Sequence, residues 1–272
     1  MTGKMLGAAL VLGLLSELSV SQSCPRGYRL RVEQEVATNS GSVEFYNCIG
    51  RLQHGTVGVA VSAPGSPVSA SWSAPGTAML RYPLKSLDTV LPTRSGFLAL
   101  TGVQSGGKAC SLYMLRFSGG GLALIARLEG VGFQKLHLRG AGGRVMPVFE
   151  ALPDDMAWGV PDLYIVRDDD FAKSNTTFPT FFRAYAEMLE KRAEHGPREA
   201  IEADDFGSRA AARQCAGILS AFTLGADDRA GGAFCARLAA RVRGDPSLDA
   251  AEKNAIVAKI YAALATPGGR RR

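Results

Sequence analysis

The chain is short of the residues that most often carry chemistry. It holds three His and two Trp in 272 residues, and no His lies in a His-Glu-x-x-His pattern. There is no Cys-x-x-Cys and no Gly-x-Ser-x-Gly, so the common zinc-site, thiol-redox and serine-hydrolase signatures are missing. Beyond the N-terminal segment no apolar run reaches the roughly 18 residues that a membrane-spanning helix needs. The 32 Gly show no triplet period, which excludes a collagen-like chain. Charge of one sign is also lacking: 31 Lys and Arg face 25 Asp and Glu. Residues 24–171 carry 14 basic and 12 acidic side chains, and residues 172–272 carry 16 and 12. Three of the latter cations are the terminal Arg270-Arg271-Arg272, in a short basic tail over residues 267–272. Nucleic-acid binders cluster cations on one face, so this near balance argues against a nucleic-acid partner.

What is present suits a folded chain. Apolar residues make up 46% and the mean hydropathy is +0.04, too apolar for intrinsic disorder. Arg outnumbers Lys 23 to 8 and there are 39 Ala, the mark of a GC-rich coding genome. Residues 1–23 read as a signal peptide: Lys4, then the apolar run Leu6 to Leu15, then a polar stretch with Ser21 and Ser23 at the −3 and −1 positions of a cut before Cys24. The expected destination is therefore secreted or extracytoplasmic: periplasm, cell surface or virion surface. Asn175-Thr176-Thr177 is a glycosylation sequon, meaningful in a eukaryotic host.

Two periods divide the rest. From residue 24 to 171, short alternating runs are cut by Gly, Pro, Asn and Ser, and ten strands are expected between Tyr28 and Arg167. Gly119-Gly120-Gly121 and Gly140-Ala141-Gly142-Gly143 fall at hairpin spacing. The pattern predicts an antiparallel β-sandwich or barrel-like domain, with Ala63–Pro75 as a long loop. Residues 172–177 read as a linker. From residue 178 to 266 the period becomes 3.6, which predicts a helical unit of four helices. Phe181, Phe182, Tyr185, Met188 and Leu189 form the inward stripe of the first, and Asp245-Pro246 is expected to start the fourth. The fold class is thus α+β with segregated halves.

Five Cys in an exported chain suggest two bridges and one thiol left over. Cys215 and Cys235 lie equally far from Gly225, the expected turn of a helical hairpin, so their thiols should meet at one height. Such a bridge contributes roughly 3 kcal/mol. In the β half, a hairpin centred on residue 40 would set Cys48 opposite Val32, leaving Cys24 about 26 Å off register. Cys48–Cys110 is therefore the expected second pair, with Cys24 free, lipidated or bonded to another chain.

No cofactor or metal is assigned. Gly102 to Lys108 matches P-loop spacing, but Ala109 lacks the hydroxyl that binds Mg²⁺ and a strand follows it, so a Gly-rich hairpin turn is expected. Asp154-Asp155 and Asp168-Asp169-Asp170, with His137, are the candidates for an acid/base or metal site, while lacking the spacing of a Ca²⁺ loop. Trp72 and Trp158 stand in loop-like contexts. Leu80-Arg81-Tyr82 followed by Leu87-Asp88-Thr89-Val90-Leu91 resembles a short stretch of herpesvirus glycoprotein L sequences. The likeness is confined to that segment, without the family's closely following Cys or its aromatic-Asn-Pro segment, and it implies no function here. The expected function is an exported, non-enzymatic binding protein with a protein partner, contacted through β-domain loops that include Trp72. The alternative is an extracytoplasmic hydrolase using the dispersed carboxylates and His137.

Overall fold

The computed structural model describes residues 24, 26–39, 41–50, 55–62, 68–74, 82–104, 109–140, 142–154, 158–195 and 206–265. The expected signal peptide, His54, the Lys108 end of the P-loop-like segment, Asp155 and the basic tail lie outside them. The fold is α+β, with antiparallel sheets preceding four helices. It divides into two compact units: Met1–Gln134 with Val166–Phe171, and Lys135–Ile165 with Ala172–Arg272.

The first unit is a sandwich. One sheet runs in the order β1 (Arg29–Thr38), β2 (Gly41–Ile49), β3 (Gly55–Ser62), β4 (Val68–Ser73). The other holds β5 (Tyr82–Pro83), β6 (Thr89–Thr93), β7 (Gly96–Gln104), β8 (Cys110–Ser118) and β9 (Gly121–Gly130), with β5 and β6 both pairing with β7. Strand alternation turns Val43, Phe45, Val59 and Val61 of the first sheet towards Phe97, Ala99 and Leu115 of the second, and these close the core. Phe97 stacks on Phe117 at 4.9 Å across the β7–β8 pair. Gly119 and Gly120, both at positive φ, make the two-residue turn between β8 and β9. Gln104 pairs with Cys110, so the residues between them connect two antiparallel strands, as expected of a Gly-rich hairpin connection.

The stretch expected as one long loop from Ala63 contains β4. Val68, Ala70 and Trp72 alternate with Ser69, Ser71 and Ser73, and Trp72 pairs with Val59 in register. Period 2 prevails there over a Pro- and Ser-rich composition.

A third sheet runs in the order β10 (Phe133–Arg139), β11 (Val145–Ala151), β12 (Asp162–Arg167), β13 (Asp170–Lys173), its residues falling mainly in the second unit. Its strands group with the helices because Leu136, Leu138, Met146, Val148 and Leu163 pack on Phe178, Phe181 and Phe182. The segment 172–177, read from sequence as a linker, is the end of β13 and a 3₁₀ turn at Asn175–Thr177. The helices are α1 (Pro179–His195), α2 (Phe206–Leu224), α3 (Asp228–Gly244) and α4 (Ala250–Ala265). On α1 the inward line is Phe182, Ala186 and Leu189, while Met188 is 40% exposed and faces away.

The α2–α3 turn closes with a Schellman pair: Asp227 N–H donates to the Phe222 carbonyl at 2.8 Å and Ala226 N–H to Thr223 at 3.1 Å. The left-handed residue of this turn is Ala226, at φ 58°, and not Gly225. Gly225 is glycine for another reason, since a Cβ there would lie 2.9 Å from the Arg183 backbone nitrogen. Asp249 and Glu252 cap α4 reciprocally, side chain to backbone in both directions at 2.8 and 2.9 Å. The helix therefore starts after Asp249, and Asp245 serves a preceding turn through Ser247.

Candidate functional site

The first candidate is the aromatic cluster on the side of the sandwich where β4 and β9 form the sheet edges. Trp72 is half-buried and its ring lies 5.0 Å from that of Tyr113, tilted by 54°. Tyr113 is buried on β8, and the Arg127 guanidinium of β9 covers it at 5.4 Å. Arg127 also donates to Ser111 Oγ at 3.3 Å and pairs with Glu129 at 2.5 Å. From β2, across β3, Tyr46 Oη donates to the Trp72 carbonyl of β4 at 3.2 Å. The arrangement fixes the indole on a rigid base beside an exposed ion pair. Trp72 thus sits on a strand and contributes to the sandwich core, in place of the loop expected for it.

The acidic candidates have local duties. Asp168 and Asp169 are the two-residue turn between β12 and β13, with φ of 50° and 64°. Asp and Asn tolerate the left-handed region better than other residues with a Cβ, and this turn needs it twice. Arg167 lies 3.4 Å from Asp168, and Arg116 pairs with Asp169. Asp170 accepts from the Phe171 N–H at 2.7 Å. Asp154 and His137 are exposed. Among the described residues no three His, Cys, Asp or Glu side chains come together as a metal cage.

Asn175 is held on both ends of its amide. Its Oδ1 accepts from the Leu163 N–H at 2.7 Å, and its Nδ2 donates to Asp162 Oδ1 at 3.0 Å. Lys173 Nζ reaches the same Asp162 oxygen at 2.6 Å. The side chain therefore clamps the entry to α1 against β12. The sequon asparagine has a structural task, and sequence reasoning saw only its modification.

The cysteines correct one expectation. Cys215–Cys235 is present, with Cα atoms 5.3 Å apart and both residues buried in the helical core. The other bridge is Cys24–Cys48, with Cα atoms 5.5 Å apart, and Cys48–Cys110 does not form. Two local features overturn the straight-hairpin geometry. The β1–β2 register differs: Thr38 pairs with Gly41, which by itself would set Arg31 opposite Cys48, and a bulge at Glu33 shifts it by one more, so that Leu30, and not Val32, faces Cys48. A turn at Arg26–Gly27, with Gly27 at φ 89°, then folds Cys24 back, and it packs with Tyr28, Leu30, Tyr46 and Ala60. In this fold the Cys24 sulfur is taken up by the bridge to Cys48. Cys110 is a buried thiol that points to the Val131 carbonyl at 3.8 Å, and burial pushes its pKa up, away from nucleophilic use.

Three other groups are perturbed. Burial raises the Glu150 carboxyl above its usual range. Burial, then the carboxylate of Glu35 directly opposite it, raises Glu44, whose Oε2 has no hydrogen-bond partner. Burial, followed by Asp162, raises the Tyr164 phenol. Glu44 lies on β2 of the first unit, whereas Glu150 and Tyr164 lie on the paired strands β11 and β12, where alternation puts them on opposite faces. Compared with protein-family models, curated proteins and solved structures, the chain matches none.

Proposed function

We propose that the chain is an exported, non-enzymatic binding protein that engages a partner protein. The observation that carries this reading is that each compact unit holds its own disulfide, Cys24–Cys48 in one and Cys215–Cys235 in the other. Structural disulfides persist in oxidising compartments and are rare in the reducing cytosol. That agrees with the signal-peptide reading of residues 1–23. No described helix is long and apolar enough to cross a membrane. The hydrolase alternative draws less support, because Asp168 and Asp169 serve a backbone turn.

The contact surface in this reading is the Trp72 edge of the sandwich, with Arg127 and Glu129 beside it. A rigid aromatic flanked by an exposed ion pair suits an interface anchor and its polar rim. The test is affinity capture by the purified chain from its extracellular milieu, followed by titration of the retained protein. Trp72→Phe preserves most of the packing, and Arg127→Ala changes an exposed side chain. Both should weaken saturable binding while the melting temperature holds. Absence of any saturable partner, together with turnover of an ester, glycan or peptide library that Asp169→Asn abolishes, would replace this reading with the enzyme.

A further inference from the structure

The strands at the margins of the sheets differ in how they are guarded. An edge strand offers unpaired N–H and C=O groups to other chains, and charge, proline or a bulge normally discourages such pairing. β1 carries Arg29, Arg31, Glu33 and Glu35, with a bulge at Glu33. β9 holds Arg127 and Glu129, β10 holds Lys135 and Arg139, and β13 holds Asp170 and Lys173. On the other side of the second sheet, β5 contains Pro83 and β6 contains Pro92. β4, Val68–Ser73, ends the first sheet and has neither charge nor proline. It lies in a stretch, Gly55 to Leu80, without a single Asp, Glu, Lys, Arg or His. Its one irregularity is an extra residue, Ser69, opposite the step from Val61 to Ser62, which leaves residues 70–73 in regular pairing.

The ladder sets the direction of the remaining groups. Ala74 N–H donates to the Val57 carbonyl at 2.8 Å, and Tyr46 Oη reaches the Trp72 carbonyl from the β3 side. Alternation therefore turns the N–H and C=O of Ala70 and Trp72 towards β3, and those of Ser71 and Ser73 outward. No ladder joins β4 to β9 or to any other described strand on that outward side. Both serines are exposed, and Trp72 is half-buried where its cross-strand neighbour Val59 is fully buried.

We propose that β4 pairs antiparallel with β4 of a second copy of this chain, about a two-fold axis at Trp72. Ser71 of each copy then exchanges its main-chain N–H and C=O bonds with Ser73 of the other. The same register sets Trp72 against its own copy at a non-hydrogen-bonded position, where facing side chains come closest. What favours a second copy over a strand of another protein is this self-complementarity: one register satisfies Ser71 and Ser73 and also covers both half-exposed indoles. No like charges oppose each other, because the strand has none. β1, at the far side of the same sheet, is guarded, so assembly closes at the dimer instead of growing into a fibre. The pairing covers the Trp72 edge of the proposed partner contact, so a captured partner has to part the dimer.

Sedimentation velocity of the purified chain tests the pairing. One added strand covers less than the roughly 1,600 Å² of a standard interface, so a reversible dimer is expected, assembling between about 1 and 100 μM. Hydrogen exchange over residues 68–75 should slow across the same range. Ser71→Lys/Ser73→Lys and Ser71→Glu/Ser73→Glu each set like charges directly opposite one another, and each variant should stay monomeric with its melting temperature unchanged. Mixed in equal amounts, the two should recover a dimer that contains one of each. A parent chain that stays monomeric throughout overturns the proposal. So does a dimer that persists in the lysine variant, which would place the contact elsewhere, or a mixture that fails to pair. Species larger than a dimer would remove the closed two-fold and overturn it too. If a charged variant misfolds, exchange on the parent still decides, since no slowing over residues 68–75 means no pairing there. Only the purified chain is used, so a monomer leaves the capture experiment standing, and failure of capture leaves a measured dimer intact.

Discussion

The two disulfides close loops of similar length, 24 and 20 residues, but they brace their units differently. Cys215–Cys235 lies at the centre of a helical core, with both residues fully buried between helices that are already neighbours in sequence. Cys24–Cys48 fastens a half-buried N-terminal segment to the outer face of a sheet that is otherwise built by strand pairing. Chain entropy assigns each about 3 kcal/mol. Their accessibility separates them: one is part of the interior, and the other is a clasp at its edge.

The sharpest way to break the helical unit avoids its disulfide. A Cβ on Gly217 would sit 2.0 Å from the Trp158 carbonyl oxygen, so α2 approaches that backbone only through a glycine. Gly217→Val should destabilise the second unit by about 3 kcal/mol or more, seen as early loss of helical circular dichroism while the sandwich persists. The clasp is tested by reductant. Under native conditions a small thiol should open Cys24–Cys48 first, because attack requires access to a sulfur, and Cys215–Cys235 should open only on unfolding. Timed alkylation with mass spectrometry reads the order, and simultaneous opening would erase the distinction.

A smaller effect is expected at the entry to α1. Asn175→Ala removes the acceptor of the Leu163 N–H and the donor to Asp162, which should cost about 2 kcal/mol in chemical denaturation. The loss should appear equally in unglycosylated protein. A loss confined to glycosylated material would assign the residue to its modification instead. The smallest effect is at Glu44. Its folded pKa lies above the ordinary 4.5, so the folded state holds the proton more tightly than the unfolded chain. The stability tied to this group is complete below pH 4.5 and is lost as pH rises through the folded value. Glu44→Gln cannot ionise, so its melting temperature should fall less than the parent's between pH 4.5 and 7. An unchanged pH profile would show that the carboxyl is already solvated.

The same contrast explains what could be read from sequence. Cys215 and Cys235 were legible because helical rise is regular and equal distances from a turn place two residues side by side. Cys24 was not, because one bulged residue at Glu33 and one turn at Gly27 each redirect a strand, and neither carries a strong compositional mark. The alternation of Val68, Ala70 and Trp72 was visible but masked by Ser and Pro around it. The Asp249-x-x-Glu252 box was visible too, but it stood behind the more familiar Asp-Pro start. At the candidate site, Trp72 and the acidic turn were identifiable by residue type, whereas their partners Tyr113, Arg127 and Arg116 come from distant strands. The clamp at Asn175 depends on tertiary hydrogen bonds to β12 that no local spacing announces.

Non-reducing peptide mapping of the chain recovered from the culture medium of cells expressing its full sequence tests the central claim most directly. The account predicts a chain that starts at Cys24, with crosslinked peptides joining Cys24 to Cys48 and Cys215 to Cys235, and Cys110 recovered as a thiol. Retention inside the cell with all five cysteines reduced would contradict it, as would a Cys24 joined to lipid or to a second chain.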